Sequence, residues 1–220
     1  MRRTVIMLAL CAPFALGAQE WEQGLYYQAH FDKVGRSFEQ SGRLLYTQGY
    51  IGKGKKGLWD FISADTGYFS FALGGYYTPA KYFDAGVAVG LENILTEQEA
   101  LSDVWKIYAR YAAYVRAGTL NTDKIFLALY YESGTSTPHW VRRFDAGWYQ
   151  AEASFSVGRF LFGGFSQTEI GTGPRVQIML IERAGLKFQA WGSPSMYKLE
   201  EKKWVHRGVA GVNLILHNPE

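Results

Sequence analysis

The feature that most constrains the fold of this chain is an alternation of apolar residues with polar or very small ones, repeated along most of its length. In the segment 68–77, Phe69, Phe71 and Leu73 occupy one phase, while serine, alanine and glycine occupy the other. The segment 125–132 repeats the pattern with leucine and tyrosine in the apolar phase. A period of two predicts β-strands that each have one apolar face.

The composition agrees with an all-β chain and excludes several other classes. Aromatic residues make up 16% and charged residues 20%, with 25 glycines, a mixture rich in strand and turn formers. Nearly half of the residues are apolar and the net charge is only +3, which argues against disorder. A mildly basic, scattered charge argues against a nucleic-acid partner.

The N-terminal segment is typical of an exported protein. Two arginines precede the apolar run 5–16, and the segment 15–18 that follows offers small residues around a spacer before a cleavage site after Ala18. This pattern predicts a secretory signal peptide over 1–18, and the run is too short for a transmembrane helix. Because Cys11 lies inside it, we expect the remaining domain, 19–220, to contain neither cysteine nor disulfides.

Turn signals divide the alternation into candidate strands. They fall near 24–31, 42–50, 57–64, 67–77, 82–92, 104–117, 123–133, 146–157, 159–168, 174–183, 186–193 and 204–217. Short links fall at 78–81, 118–122, 158 and 184–185, and longer polar links at 93–103, 134–145 and 194–203. Because 57–64 also fits a loop and the first two candidates are irregular, we expect about 10 to 12 strands, with 8 as an alternative.

One segment also fits a helix. Apolar residues recur at helical spacing between 101 and 115, and Thr96 with Glu99 fits a capping box. We favour the strand by about two to one, because the neighbouring segments are strands of matching length. A short helix is expected in the loop before it.

The signal peptide, the alternation and the regular change between short and long links together resemble bacterial outer-membrane β-barrel proteins. This resemblance covers most of the chain after the signal peptide and implies a single antiparallel up-and-down transmembrane β-barrel in a Gram-negative outer membrane. It also implies short periplasmic turns, longer external loops and contact with outer-membrane lipid. Such barrels often end on a strand that closes with Phe or Trp, whereas this chain ends in 216–220 without an aromatic residue. We therefore expect a short tail after the last strand.

No motif for catalysis, metal binding or a cofactor stands out. The four histidines are not at metal-ligand spacing, and no G-x-S-x-G sequence is present. The basic segment 52–57 lacks the spacing of a phosphate loop and is predicted to be a turn, which could touch lipid phosphate. We therefore expect no catalytic, metal or cofactor-binding residues and no cofactor.

The alternation places a set of charged residues on the face that would point into a barrel. These candidate lumen-lining residues are Asp84, Glu92, Lys106, Arg110, Arg116, Lys124, Glu132, Glu152 and Lys187. Their mixed signs predict internal ion pairs that fill a narrow lumen, because unpaired charge there is costly. An open, porin-like pore that favours anions is the alternative, less favoured by about two to one.

The sequence favours a non-enzymatic outer-membrane barrel that acts as a small channel or as a structural or interaction protein of the cell envelope. Other envelope proteins or a polysaccharide are further candidate partners. Two alternatives come from other classes. One is an outer-membrane enzyme acting on lipid or surface polysaccharide, and the other is a soluble periplasmic β-barrel that binds a ligand.

Overall fold

The computed structural model describes residues 20–34, 36–65, 68–80, 83–94, 107–118, 125–132, 148–168, 170–198 and 204–218. The strands are β1 (Glu20–Val34), β2 (Ser37–Lys53), β3 (Lys56–Asp65), β4 (Tyr68–Ala80), β5 (Phe83–Ile94), β6 (Ile107–Ala117), β7 (Ile125–Glu132), β8 (Trp148–Val157), β9 (Phe160–Gln167), β10 (Gly171–Arg183), β11 (Leu186–Lys198) and β12 (Trp204–His217). Within these ranges, no helix is long and apolar enough to cross a membrane. The predicted signal peptide and the helix expected before β6 lie outside the described residues.

The twelve strands form one closed antiparallel barrel in which each strand pairs with its neighbours in sequence. The sheet closes where β1 pairs with β12, with Tyr26 opposite Asn213, while Tyr46 of β2 lies on the other side of Tyr26. Up-and-down order with closure leaves no unpaired strand edge.

The predicted strand number is corrected by the structure. The sequence was compatible with about 10 to 12 strands or with 8, and the barrel has 12, so an eight-stranded barrel is wrong. The ambiguous segment is strand β3, because it pairs along its whole length with β4. The irregularity of the first two strands is a register shift between His30 and Phe31, which interrupts the sequence pattern without ending the pairing.

Short hairpin turns lie at the end of the barrel that is predicted to face the periplasm. The turns between β2 and β3 and between β8 and β9 begin with Gly54 and Gly158, which have φ values of +66° and +60°. Glycine adopts this left-handed conformation without the steric penalty of a Cβ atom. The predicted loops 93–103 and 134–145 lie almost entirely outside the described residues.

The outer wall is apolar over most of its described area. Val87, Val89 and Leu91 point outward from β5, and Leu127 and Leu129 point outward from β7. Val89 is 71% exposed and Leu129 is 51% exposed. Large apolar side chains on several adjacent strands therefore cover the outside of the barrel, whereas a soluble barrel turns them inward.

Three polar residues of β1 to β3 lie on the outward side of the wall, where Gln23 and Thr47 are buried. Gln23 of β1, Thr47 of β2 and Asp60 of β3 lie in the same phase of the alternation as the outward apolar residues. The Gln23 and Asp60 side chains meet over Gly49, where a Cβ atom would contact Asp60 Oδ2 and Gln23 Oε1. Placing an amide beside the carboxylate reduces the cost of a polar group on an apolar wall.

Two adjacent glycines of β9 provide a test of the wall packing. A Cβ atom at Gly163 would collide with the backbone of Ala153 and Ser154 on β8, whereas one at Gly164 would meet nothing within 4 Å. We expect Gly163→Ala to destabilise the barrel by about 1–3 kcal/mol, the usual cost of overpacking. Gly164→Ala should be neutral or slightly stabilising, because alanine restricts the unfolded chain. Urea unfolding in detergent, followed by tryptophan fluorescence, measures both, and equal effects would contradict this packing.

Candidate functional site

The interior of the barrel is filled by large side chains that touch across it. Trp59 and Phe61 of β3 contact Tyr130 of β7, with ring centroids 6.0 and 4.9 Å apart. Tyr50 of β2 contacts Tyr114 of β6 at 5.6 Å. Because several strands separate the partners along the sheet, these contacts bridge the lumen rather than follow its wall. The rings form an aromatic cluster in which Trp59 is completely buried.

A second group of rings lies against β9 to β12. Phe165 and Trp191 are buried with centroids 5.4 Å apart. The Arg175 guanidinium of β10 lies over both, 4.2 Å from the centroid of Trp191 and 5.5 Å from that of Phe165. Stacking on two rings holds the planar guanidinium in one orientation.

Buried charges inside the barrel have partners of opposite sign. Arg116 Nη2 lies 2.6 Å from Asp84 Oδ2 on the neighbouring strand, and Arg116 Nη1 lies 3.9 Å from Glu22 Oε1 on β1. Arg175 Nη1 lies 2.6 Å from Glu152 Oε2 on β8. Since β1 and β6 are not neighbours, the contact between Arg116 and Glu22 also crosses the lumen. Pairing offsets part of the cost of removing these charges from water.

The structure places the predicted lumen residues as follows. Asp84, Arg110, Glu132 and Lys187 are buried, with Arg110 Nη2 3.3 Å from Glu132 Oε2 and Lys187 Nζ 3.9 Å from Glu182 Oε1. Arg116 and Glu152 point inward in the pairs given above. The side chain of Glu92 and the residues Lys106 and Lys124 lie outside the described part of the chain. That this set lines a passage stays a prediction.

Several interior residues were not predicted from the sequence. Arg175 and Gln177 of β10 are buried in the phase that points inward. The signal for them was present, since they alternate with Pro174, Val176 and Ile178 inside the candidate strand 174–183, but the two faces of that strand were not assigned from the sequence. Glu22 was missed because it precedes the first candidate strand.

A small cavity remains between the two groups of rings. Its volume is about 100 Å³, and its walls include Gln177, Gln189 and Asn213 on one side and Tyr46 and Phe61 on the other. Arg116, Glu152 and Arg175 also reach it. The cavity can hold a few waters or one small solute.

The described residues contain no cluster of three or more His, Cys, Asp and Glu side chains that could hold a metal ion. On the outer wall, the Ser166 hydroxyl lies 2.8 Å from Thr172 Oγ1 and 3.4 Å from the Tyr149 hydroxyl. Hydroxyl neighbours do not activate a serine as a nucleophile, which requires an adjacent base. This hydroxyl cluster therefore lacks the chemistry of a hydrolase.

Comparisons with known proteins find similar solved structures. No family model matches the sequence, and no curated protein matches it. The chain is similar to the outer membrane phospholipase A of Escherichia coli, with 8% identity, 96% and 97% of the two chains covered, and a TM-score of 0.48. It is also similar to the Salmonella typhi outer membrane phospholipase, with 8% identity, 97% of each chain covered and a TM-score of 0.48.

A third similar structure is the toluene transporter TbuX of Ralstonia pickettii, with 8% identity, 98% and 93% of the two chains covered, and a TM-score of 0.42. These structures are bacterial outer-membrane β-barrels, the class that the sequence resembles. At such identities and TM-scores they say nothing about function, which has to be argued from the residues of this chain.

The buried pair of Arg175 and Glu152 makes a testable contribution to stability. Arg175→Met should destabilise the barrel by about 3 kcal/mol, because it leaves the Glu152 carboxylate buried without its cation. The double variant Arg175→Met/Glu152→Leu should recover most of that loss, since it removes both charges. Urea unfolding measures both variants, and Lys53→Met at an exposed turn serves as the control, expected to change stability by less than about 0.5 kcal/mol. A single variant as stable as the control would contradict the pairing.

Proposed function

We propose that the protein is a non-enzymatic β-barrel of a bacterial outer membrane whose lumen is closed by its own side chains, and that it serves as a structural or interaction protein of the envelope. The observation that carries this proposal is the set of contacts across the lumen. Phe61 with Tyr130, Arg116 with Glu22, and Gln28 with Gln167, whose side-chain amides lie 3.3 Å apart, all join strands that are not neighbours. Within the part of the chain that the structure describes, side chains held in this way leave no continuous aqueous path of porin width.

The membrane location is supported by the outer wall and by closure of the sheet. In a bilayer, backbone groups find no water, so a spanning sheet must have no free edge. Outward apolar side chains on β4 to β8 match a lipid environment, and the predicted signal peptide provides a route of export.

A small channel is the second candidate, and the cavity between the two groups of rings is the observation that favours it. In that case rearrangement of the Arg116 or Arg175 side chain would have to widen the cavity. The soluble periplasmic barrel is disfavoured, because its exterior would expose residues such as Val87 and Val89 to water.

Arginine substitutions on the outside of the barrel separate a membrane barrel from a soluble one. Val89→Arg should cost about 2–4 kcal/mol if this position faces the middle of a bilayer, whereas in water an exposed substitution costs less than about 0.5 kcal/mol. The matched control is Phe38→Arg, also at an exposed apolar residue, near one end of the 17-residue strand β2. A tilted strand rises about 2.5 Å along the barrel axis per residue, so Phe38 lies roughly 38 Å from the turn after Lys53. This distance exceeds the ~25 Å height of the apolar band of a membrane barrel, so Phe38 lies outside that band. Folding yield and urea unfolding in phospholipid vesicles measure both variants, and equal effects would contradict the membrane location.

Conductance tests the closed lumen. The folded protein, identified by heat-dependent migration on a detergent gel and recovered from the outer-membrane fraction, is added to a planar bilayer. We expect no stepwise current at either polarity, because the lumen is bridged by rings and ion pairs. Reproducible single-channel steps would overturn closure and support the channel. Recovery from the soluble periplasmic fraction would overturn the membrane location.

A further inference from the structure

We infer that the cavity between the two groups of rings is a binding site for a small monocarboxylate, held by N–H donors of Arg175, Gln177 and Gln189. This inference deepens the proposed function, since it names what the closed lumen can hold, and it rests on the lumen being filled as described above. The argument comes from the direction of the hydrogen bonds around the cavity.

The first hydrogen-bonded chain ends in an unused donor at Gln189. Trp191 Nε1 donates to Asn213 Oδ1 at 3.1 Å, and Asn213 Nδ2 donates to Gln189 Oε1 at 3.1 Å. The indole N–H is a donor only, so it fixes which end of the Asn213 amide accepts and, in turn, which end of Gln189 accepts. Gln189 is 1% exposed and its Nε2 has no hydrogen-bond partner.

The second chain ends in the same way at Gln177. Arg175 Nη2 donates to Gln177 Oε1 at 2.7 Å, which orients the amide with its Nε2 away from the guanidinium. Gln177 is 2% exposed, and its Nε2 has no partner. Arg175 Nε also has no partner, although Arg175 Nη1 is held by Glu152. Three buried N–H donors thus remain without acceptors.

The donors belong to one wall of the same cavity. Gln177 lies opposite Trp191 in the pairing of β10 with β11, and Gln189 is two residues from Trp191 on the same face, so the two residues are diagonal neighbours whose backbone positions lie about 7 Å apart. All three side chains line the cavity, and Tyr46 and Phe61 line the facing wall. The site therefore combines unpaired N–H donors on one side with aromatic rings on the other, of which Tyr46 also carries a hydroxyl.

This arrangement fits a carboxylate better than water. A carboxylate only accepts hydrogen bonds and offers about four lone-pair positions, so one carboxylate can accept from all three donors, whereas one water molecule has only two lone pairs. The cavity is lined by two guanidinium groups, Arg116 and Arg175, and by one carboxylate, Glu152. At about 100 Å³ it is smaller than the ~150 Å³ site that holds benzene, which limits the ligand to an acid of two or three carbons.

The test uses acetate as the probe and the full folded barrel in detergent. Ligand-observed saturation-transfer NMR should detect saturable acetate binding, and acetamide at the same concentrations should bind much more weakly. The variant Gln177→Met/Gln189→Met removes two donors at nearly constant volume and should weaken acetate binding about tenfold or more, because hydrogen bonds to a charged group are the strong ones. The matched control is Ser193→Ala on β11, a buried hydroxyl that bonds Ser195 and does not line the cavity. Acetate binding to this control should be unchanged.

A second variant tests the site even if the double variant does not fold. Gln177→Glu places a negative charge beside the bound carboxylate and should also weaken binding, and heat-dependent gel migration identifies which variants fold. Absence of saturable acetate binding to the unaltered protein would overturn the inference, as would equal binding of acetamide or undiminished binding by the folded variants. Channel conductance together with acetate binding would overturn only the closed lumen, whereas silent bilayers without acetate binding would overturn only this site.

Discussion

The pairing of β1 with β12 is the constraint on which the rest of the structure depends. Their register runs without interruption from Glu22 opposite His217 to Asp32 opposite Arg207. Closing the sheet here satisfies the last free strand edges, and in an apolar medium each unsatisfied backbone group would cost several kcal/mol. At the rim, the ion pair of Asp32 with Arg207 joins the two strands at the end of this register. Closure thereby fixes the circumference of the barrel. It also determines which face of each strand points into the lumen.

A circumference of twelve strands creates a space that small residues cannot fill. Barrel diameter grows with strand number, and an eight-stranded interior is just wide enough to be filled by ordinary side chains. Here the rings of Trp59, Phe61 and Tyr130 and the long side chain of Arg116 reach across the additional width. Small inward residues such as Ala72 and Ala88 lie among the rings and leave them room. Large and small residues are therefore complementary parts of one packed interior.

The alternation could be read from the sequence, and with it the inward direction of residues such as Asp84 and Arg110, because successive side chains of a strand point to opposite faces. It did not settle the strand number, since β3 is polar at both ends and could be distinguished from a loop only through its pairing partners. It also could not indicate that Arg116 reaches Glu22 or that Gln28 reaches Gln167. Those contacts depend on strand tilt and curvature, which no local pattern encodes. Asp60 is a charged residue among the outward apolar residues of its strand. Its position can be explained only by Gln23, which lies beside it but belongs to another strand.

The polar side chains of the filled lumen fix the register of the strands, and they also form the walls of the cavity. If inward positions were as apolar as outward ones, a one-residue shift in register would exchange the two faces at little cost. With Arg110 and Glu132 on one face and Val89 and Leu129 on the other, the same shift would bury hydrocarbon among charges and turn charges toward lipid. Polar groups inside must then be satisfied by one another, and hydrogen-bonded chains such as Trp191–Asn213–Gln189 have a direction set by their donor-only end. The last amide of such a chain keeps an N–H group that has no acceptor. Gln177 and Gln189 each carry such a group, and both line one cavity together with Arg175. The unsatisfied groups, including Arg175 Nε, therefore all require an acceptor. The need to keep the two faces of the strands distinct thus leads to a lumen whose remaining space is chemically selective.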